Sequence, residues 1–493
     1  MRQHIPTDIL THIGPFSTLT IIHALGLLGF AVIIALAPLI WIPIAIGVVA
    51  GGLVLLRHPW FIWIILGIAL PWTSGIRLGV ASVTDLFLVV ALTLWFVDAV
   101  RRERVTFSIS GVAIAAFGYC IALYLSAFNA VDIGDAALEI VKWLQFTVVL
   151  LVLPTMIDAD HHVPWLVSAL FAGAVSQAFL GIYQFYFMVG PEWFIIQGQY
   201  MRASGSFSQP NPFGGYMGIT LPVAVSILNW FSVRPLRKRR VHWHDITGWS
   251  IARTVVPIIG TGLLVSWSRG AWLGAVAAVL VVMWVSSTRL VRIIALIVVT
   301  TILLIGAAAP LMRMVPPDIL ARFSDIPAQF GLGASIDAEI TDENFAILER
   351  LAFWLAALRM WDYAPWFGVG PGNFDAVYST FAVPRWEMSL GHAHNIYLNT
   401  LAETGIFGMA VFLWLWGSVV VLAYRSYLAS RRSNRWRAAL SVGILGVVTH
   451  LAIHSLFDNL FVQGMFLHLS LWIAILLTLQ SASNEPPQMA KVN

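Results

Sequence analysis

Residues 391–424 read GHAHNIYLNTLAETGIFGMAVFLWLWGSVVVLAY. An apolar run of this length exceeds the ~20 residues that carry a helix across a bilayer. It predicts a membrane helix over 395–424 with His394 at its mouth, and ionisable groups beside a membrane are costly enough that few are accidental.

Similar runs recur along the chain. Of its 493 residues 59% are hydrophobic and 11% charged, which excludes a soluble globular protein and predicts an all-α polytopic membrane protein. The only cysteine, Cys120, precludes an intrachain disulfide, so helix packing must hold the fold. The first apolar run, Phe16 to Leu56, is too long for a signal-peptide core and reads as two retained spans. Further candidates lie at 59–71, 83–100, 108–128, 136–156, 164–189, 212–232, 251–268, 270–286, 290–309, 395–424, 438–456 and 461–480. About 12 to 14 spans follow, depending on whether the first pair and the short 59–71 run count separately.

The charge pattern fits the full set with both termini cytoplasmic. Of the 28 basic residues, only Arg77, Arg202, Arg269, Arg313, Arg322, Arg350, Arg359 and Arg385 then fall outside, and Lys142 lies in a span. The rest line the inner face, as the positive-inside rule requires. Four regions result: a bundle over 1–309, an extracytoplasmic loop over 310–390, C-terminal helices over 391–480 and a cytoplasmic tail over 481–493. The loop far exceeds an ordinary connection and is the expected home of function. Within it, Asn344 to Trp361 has apolar residues at helical spacing and predicts a helix lying along the membrane surface.

At a helix entrance, the dipole disfavours an imidazolium and favours bound anions. A neutral His394 there suits a general base, while an interfacial anchoring histidine is the plainer reading. His392-Ala393-His394 also has the look of a two-ligand metal site, but no further His or Cys stands near in sequence, so no metal is assigned. Asn395, Asn399 and Glu403 share one helical face; Glu403 lies about 13 Å deeper than His394 and points nearly opposite, which predicts a structural carboxylate paired to a neighbouring helix. Gly405 and Gly408 read as sites of close helix contact. The outer basic residues are all Arg, whose planar fork of donors matches phosphate; headgroup anchoring is the competing use.

His394-Asn395, nine residues, Gly405, two residues and Gly408 resemble the signature of the O-antigen ligase and polymerase superfamily. Arg269 with Leu273 resembles that superfamily's Arg-x-x-x-Leu element, Arg202 opens a similar stretch through Asn211, and Arg350 resembles its loop arginine. The resemblance covers about Gln199 to Asn459. It implies a C-type membrane glycosyltransferase of the bacterial inner membrane, working on its extracytoplasmic face without cofactor, metal or nucleic acid. The implied donor is an undecaprenyl-pyrophosphate-linked glycan, the acceptor a lipid or glycan, and membrane lipids the surroundings. His394 would be the catalytic base, with Arg202, Arg269, Arg350 and Asn395 binding substrate. The motif leans toward a ligase; a repeat-unit polymerase is the alternative.

Other features carry less. Asp158-Ala159-Asp160 has the look of a sugar-nucleotide signature, but its short loop leaves no room for such a domain, so it reads as a solvated turn. The basic run Arg234 to Arg240 is an orientation signal. A secondary transporter would use Asp85, Glu139 and Asp458 as coupling carboxylates, yet no paired halves appear.

Overall fold

A computed structural model describes residues 41–73, 75–79, 81–196, 198–232, 243–286, 336–341 and 344–484. Most of the first predicted span, the basic run at 234–240, the candidate span 290–309, the loop from Pro310 to Ser335 with Arg313 and Arg322, and the tail beyond Asn484 lie outside these residues.

Among the described residues the protein is all-α apart from two hairpins of two-residue strands, Arg77–Leu78 with Ala81–Ser82 and Ile195–Ile196 with Tyr200–Met201. Fourteen α-helices are present: α1 Trp41–Arg57, α2 Phe61–Thr73, α3 Val83–Arg101, α4 Gly111–Ser126, α5 Ile133–Met156, α6 Val163–Phe187, α7 Pro210–Ser232, α8 Trp243–Val265, α9 Arg269–Ser286, α10 Phe345–Tyr363, α11 Phe374–Phe381, α12 Ile396–Ser430, α13 Arg435–His454 and α14 Met465–Asn484. α1 belongs to a separate compact unit ending at Phe61. Among the described residues seven helices are long and apolar enough to cross a membrane: α3, α4 with its 3-10 extension to Asn129, α5, α6, α9, α12 and α13. The predicted loop helix is α10, its apolar stripe buried through Leu348, Ala352, Phe353 and Ala356.

Helix starts follow local chemistry. Ser82 and Asp85 form a reciprocal capping box at α3, and Ser110, Asp132 and Asn434 accept backbone N–H bonds at the starts of α4, α5 and α13. Asp158 folds its carboxylate onto the N–H groups of Asp160 and His161, and Asp160 pairs with Arg437 at 3.0 Å, so the Asp-Ala-Asp stretch is a braced, exposed turn.

The core of the site-bearing half is a set of packed helices: α13 against α9, α7 and α12, α7 against α8 and α9, and α12 against α4. α12 runs for 35 residues, about 52 Å, longer than the ~30 Å hydrocarbon core, and it is interrupted at Gly405, where φ is 65° and ψ −167°. The break frees backbone groups, and the turn from Pro365 to Gly370 takes them up. Val369 and Gly370 N–H groups donate to the carbonyls of Ala402 and Glu403, while Ile406 and Phe407 donate to those of Pro365 and Trp366. Gly405 is therefore a site of close contact, as expected, but with loop backbone instead of a neighbouring helix. A Cβ there would strike the Trp366 carbonyl group. Stitched in this way, the turn fixes α10 and α11 over the first turns of α12.

Candidate active site

His394 stands two residues before α12, just ahead of the helix's N-cap Asn395. Its φ of 50° places it in the left-handed region, at the bend just before the helix that Asn395 caps. Asn395 caps α12, its side-chain oxygen accepting from Tyr397 at 3.0 Å and Leu398 at 3.2 Å. That use leaves its amide N–H groups for the expected role toward imidazole or acceptor. Two bonds pin this helix start to the end of α13: Ile396 N–H to the Ser455 carbonyl and Tyr397 hydroxyl to the Ala452 carbonyl, each 2.9 Å.

The pinning carries His394 to Asp458, four residues past the end of α13. His394 Nδ1 lies 3.4 Å from Asp458 Oδ1, longer than a well-formed hydrogen bond, and His392 Nε2 lies 3.9 Å from the same oxygen. Both ring nitrogens of His394 are buried without a hydrogen-bond partner, and Phe353 of α10 covers the ring at a centroid distance of 5.7 Å. Burial by itself would raise the Asp458 carboxyl, but the adjoining His394, with His392 and His454, holds it well below the usual carboxylate range. His392 is pushed down to about 4 by burial first and by His394 second, against the pull of Asp458. Its Nδ1 accepts the His394 backbone N–H at 3.0 Å, so its basic lone pair is already used.

The arginines come to the same place. Arg269 is the first residue of α9, after a turn held by Ser266 and Ser268. Gly270 beside it lets the His454 ring approach closely. Arg350 of α10 lies within electrostatic range of Asp458, Arg269 and Glu349; burial is the first reason its proton is held less tightly than usual, opposed by Asp458 and reinforced by Arg269. Glu349 is raised by burial and lowered by His394 and Arg350. Arg202 braces the α8–α9 turn that precedes Arg269, its Nε donating to the Ser266 carbonyl at 3.3 Å and its Nη2 to Asn211 Oδ1 at 2.8 Å.

His394, Arg269 and Arg350 are thus brought together by the fold. Three neighbours were missed: Asp458, His454 and Glu349. A signal existed, since His450, His454 and Asp458 recur every four residues, a spacing that on a continuous helix would put them on one side, although α13 itself ends at His454. His392, His394 and Asp458 also present ligand atoms within 4.8 Å of one another, a third potential ligand that sequence proximity had concealed. A divalent ion there would meet two nearby guanidiniums, which argues against it. The carboxylates of the transporter reading all have local partners: Asp85 in its capping box and with Gln145, Glu139 with Lys142 and Trp143, Asp458 with His394.

The structure thus gathers a half-buried histidine, an adjoining carboxylate and two arginines within an all-α polytopic membrane protein. Residues 254–413, from within α8 past the break in α12, match the family described as O-antigen ligase, and the match supports membership of the O-antigen ligase superfamily. At family level that match supports a membrane glycan-transfer enzyme. The matched region holds Arg269, Arg350, His394 and Asn395 but ends before Asp458. No curated protein matches the chain.

Proposed function

We propose that the protein transfers a glycan from undecaprenyl pyrophosphate to a lipid or glycolipid acceptor, with inversion, on the extracytoplasmic face of the bacterial inner membrane. The observation that carries this reading is the convergence of Arg269, Arg350, His394 and Asp458, which come from parts of the chain far apart in sequence. Asp458 at Nδ1 favours the tautomer with its proton there and leaves the Nε2 lone pair of His394 as the base. Nε2 takes the proton of the acceptor hydroxyl, whose oxygen bonds to the anomeric carbon. The bond from that carbon to the pyrophosphate oxygen breaks, and its electron pair leaves with the pyrophosphate. Arg269 and Arg350 neutralise that departing charge, Arg202 keeps Arg269 in place, and solvent receives the proton from His394.

The test is incubation of purified protein with a polyprenyl-pyrophosphate glycan, with and without acceptor. A ligase gives one transfer per acceptor and no growth of the donor's repeat ladder; a ladder that lengthens in the acceptor-free reaction would make the enzyme a polymerase. Magnesium chelation should leave either reaction unchanged. For sidedness, Met388→Cys in a background lacking Cys120 should label with an impermeant maleimide in intact spheroplasts, and Ser433→Cys only after lysis. The reverse pattern would place His394 on the cytoplasmic side.

A further inference from the structure

A cavity of about 200 Å³ lies between α4, α5 and the first turns of α12, and His392 forms part of its wall while His394, Arg269 and Arg350 do not. One side is aromatic: the Tyr119 and Trp143 rings meet edge to face at 4.7 Å, and Trp143 and Phe461 lie 5.1 Å apart. The wall also carries Glu139, Lys142 and Glu403. Lys142 bridges the Glu139 carboxylate and the Phe461 carbonyl, and Trp143 Nε1 donates to Glu139 at 3.0 Å. Glu403 accepts from the N–H groups of Gly372 at 3.0 Å and Phe374 at 3.2 Å. These contacts fix the carboxylates in position and leave acceptor lone pairs unused.

The chemistry of this wall selects its ligand. One ammonium stands against two carboxylates, so a phosphate finds no surplus positive charge, in contrast to the arginine side. Aromatic faces beside fixed carboxylates suit an uncharged ring that is apolar on its faces and hydroxylated at its rim. The volume is below that of pockets for larger ligands, typically about 300–1,000 Å³, and so admits one ring rather than a chain. The rings of His392 and His394 are 4.3 Å apart, which makes His392 the partition between cavity and base. A donor sugar must stay with its pyrophosphate beside the arginines, so a ring in the cavity is on the acceptor side.

We propose that this cavity binds a single uncharged sugar ring, the terminal ring of the acceptor. The assignment to the acceptor rests on the glycan-transfer reading; the binding of a sugar ring does not. The probe is a panel of methyl glycosides (hexoses, N-acetylhexosamines and a heptose) in saturation-transfer NMR with the detergent-solubilised full-length protein. At least one should give a signal that inorganic phosphate fails to displace and that His394→Ala retains. Glu139→Gln should weaken it about tenfold, the effect of losing a hydrogen bond to a charged group, and Val462→Trp, which fills the cavity, should remove it. In the transfer reaction Glu139→Gln should raise acceptor KM and leave donor KM unchanged. No signal from any glycoside, a signal surviving whichever of the two variants keeps the wild-type thermal transition, or displacement by phosphate would overturn the subsite. Sugar binding with no transfer to any acceptor would instead overturn the reaction.

Discussion

The two sides of the short segment 391–395 differ in charge and in texture. On one, Arg269 and Arg350 gather with His394, His454 and Asp458. On the other, carboxylates and aromatic rings face a cavity that holds one lysine. Glycan transfer from a pyrophosphate carrier needs such a division, because the leaving group is a concentrated anion and the acceptor an uncharged polyol. A site built from cations throughout would bind pyrophosphate well but would not discriminate the incoming hydroxyl.

The largest expected effect falls where the two sides meet. His394→Ala should lower transfer by about 10²–10⁴-fold, the usual loss of a general base. His394→Asn, which tolerates the left-handed backbone at φ 50° better than most residues, should be equally inactive with an unchanged thermal transition. Activity within a few-fold of wild type in either variant would mean that the base lies elsewhere and the division is not catalytic.

Much of one side was legible in the sequence and little of the other. His394, Arg269 and Arg350 were legible because a histidine at a helix mouth and arginines between apolar runs stand out against a hydrophobic background. Most helices fell within a few residues of their apolar runs for the same reason. Asp458 was not, because it lies 64 positions after His394 and only the pinning of α12 to α13 brings them together. The break in α12 was also hidden, since hydropathy reports burial and not backbone angles, and a glycine with φ of 65° reads like any packing glycine. The cavity was least legible of all. Its Glu and Lys residues come from α5 and α12, where Glu139 and Lys142 looked like isolated charges inside spans.

The stitched break supports the cavity side, and Gly405→Ala probes it. A Cβ at this position is strained by the positive φ and collides with the Trp366 carbonyl. The expected cost is about 2–4 kcal/mol, read as a lowered thermal transition. Glycoside binding should weaken before the arginine side is affected, because Glu403 and its partners Gly372 and Phe374 flank the break. An unchanged transition would show that the turn does not depend on that conformation.

A smaller effect tests the cation side. Arg269→Lys and Arg350→Lys keep the charge and lose the paired donors, so each should reduce transfer about tenfold, mainly through the donor. Arg359→Lys is the control, since Arg359 donates to the carbonyls of Phe381 and Ala382 at the end of α11. Full activity with lysine at both positions would reduce the arginine side to a general positive field.

His392 should give the smallest effect and the sharpest separation, because it touches both sides without titrating. Its folded pKa, pushed down to about 4 by burial and by His394, keeps it neutral throughout the range in which a membrane enzyme is assayed. A depressed histidine takes up its proton only below that value, so it cannot set the acid limb of activity between about pH 5 and 8. His392→Gln should therefore leave the shape of the pH profile in place. As a wall of the cavity it should still raise acceptor KM, by about threefold, a fraction of the cost of a hydrogen bond to a charged group. If the acid limb instead moves by more than about half a pH unit, well above ordinary scatter in such profiles, His392 exchanges protons with the base. The two sides would then form one continuous acid–base network.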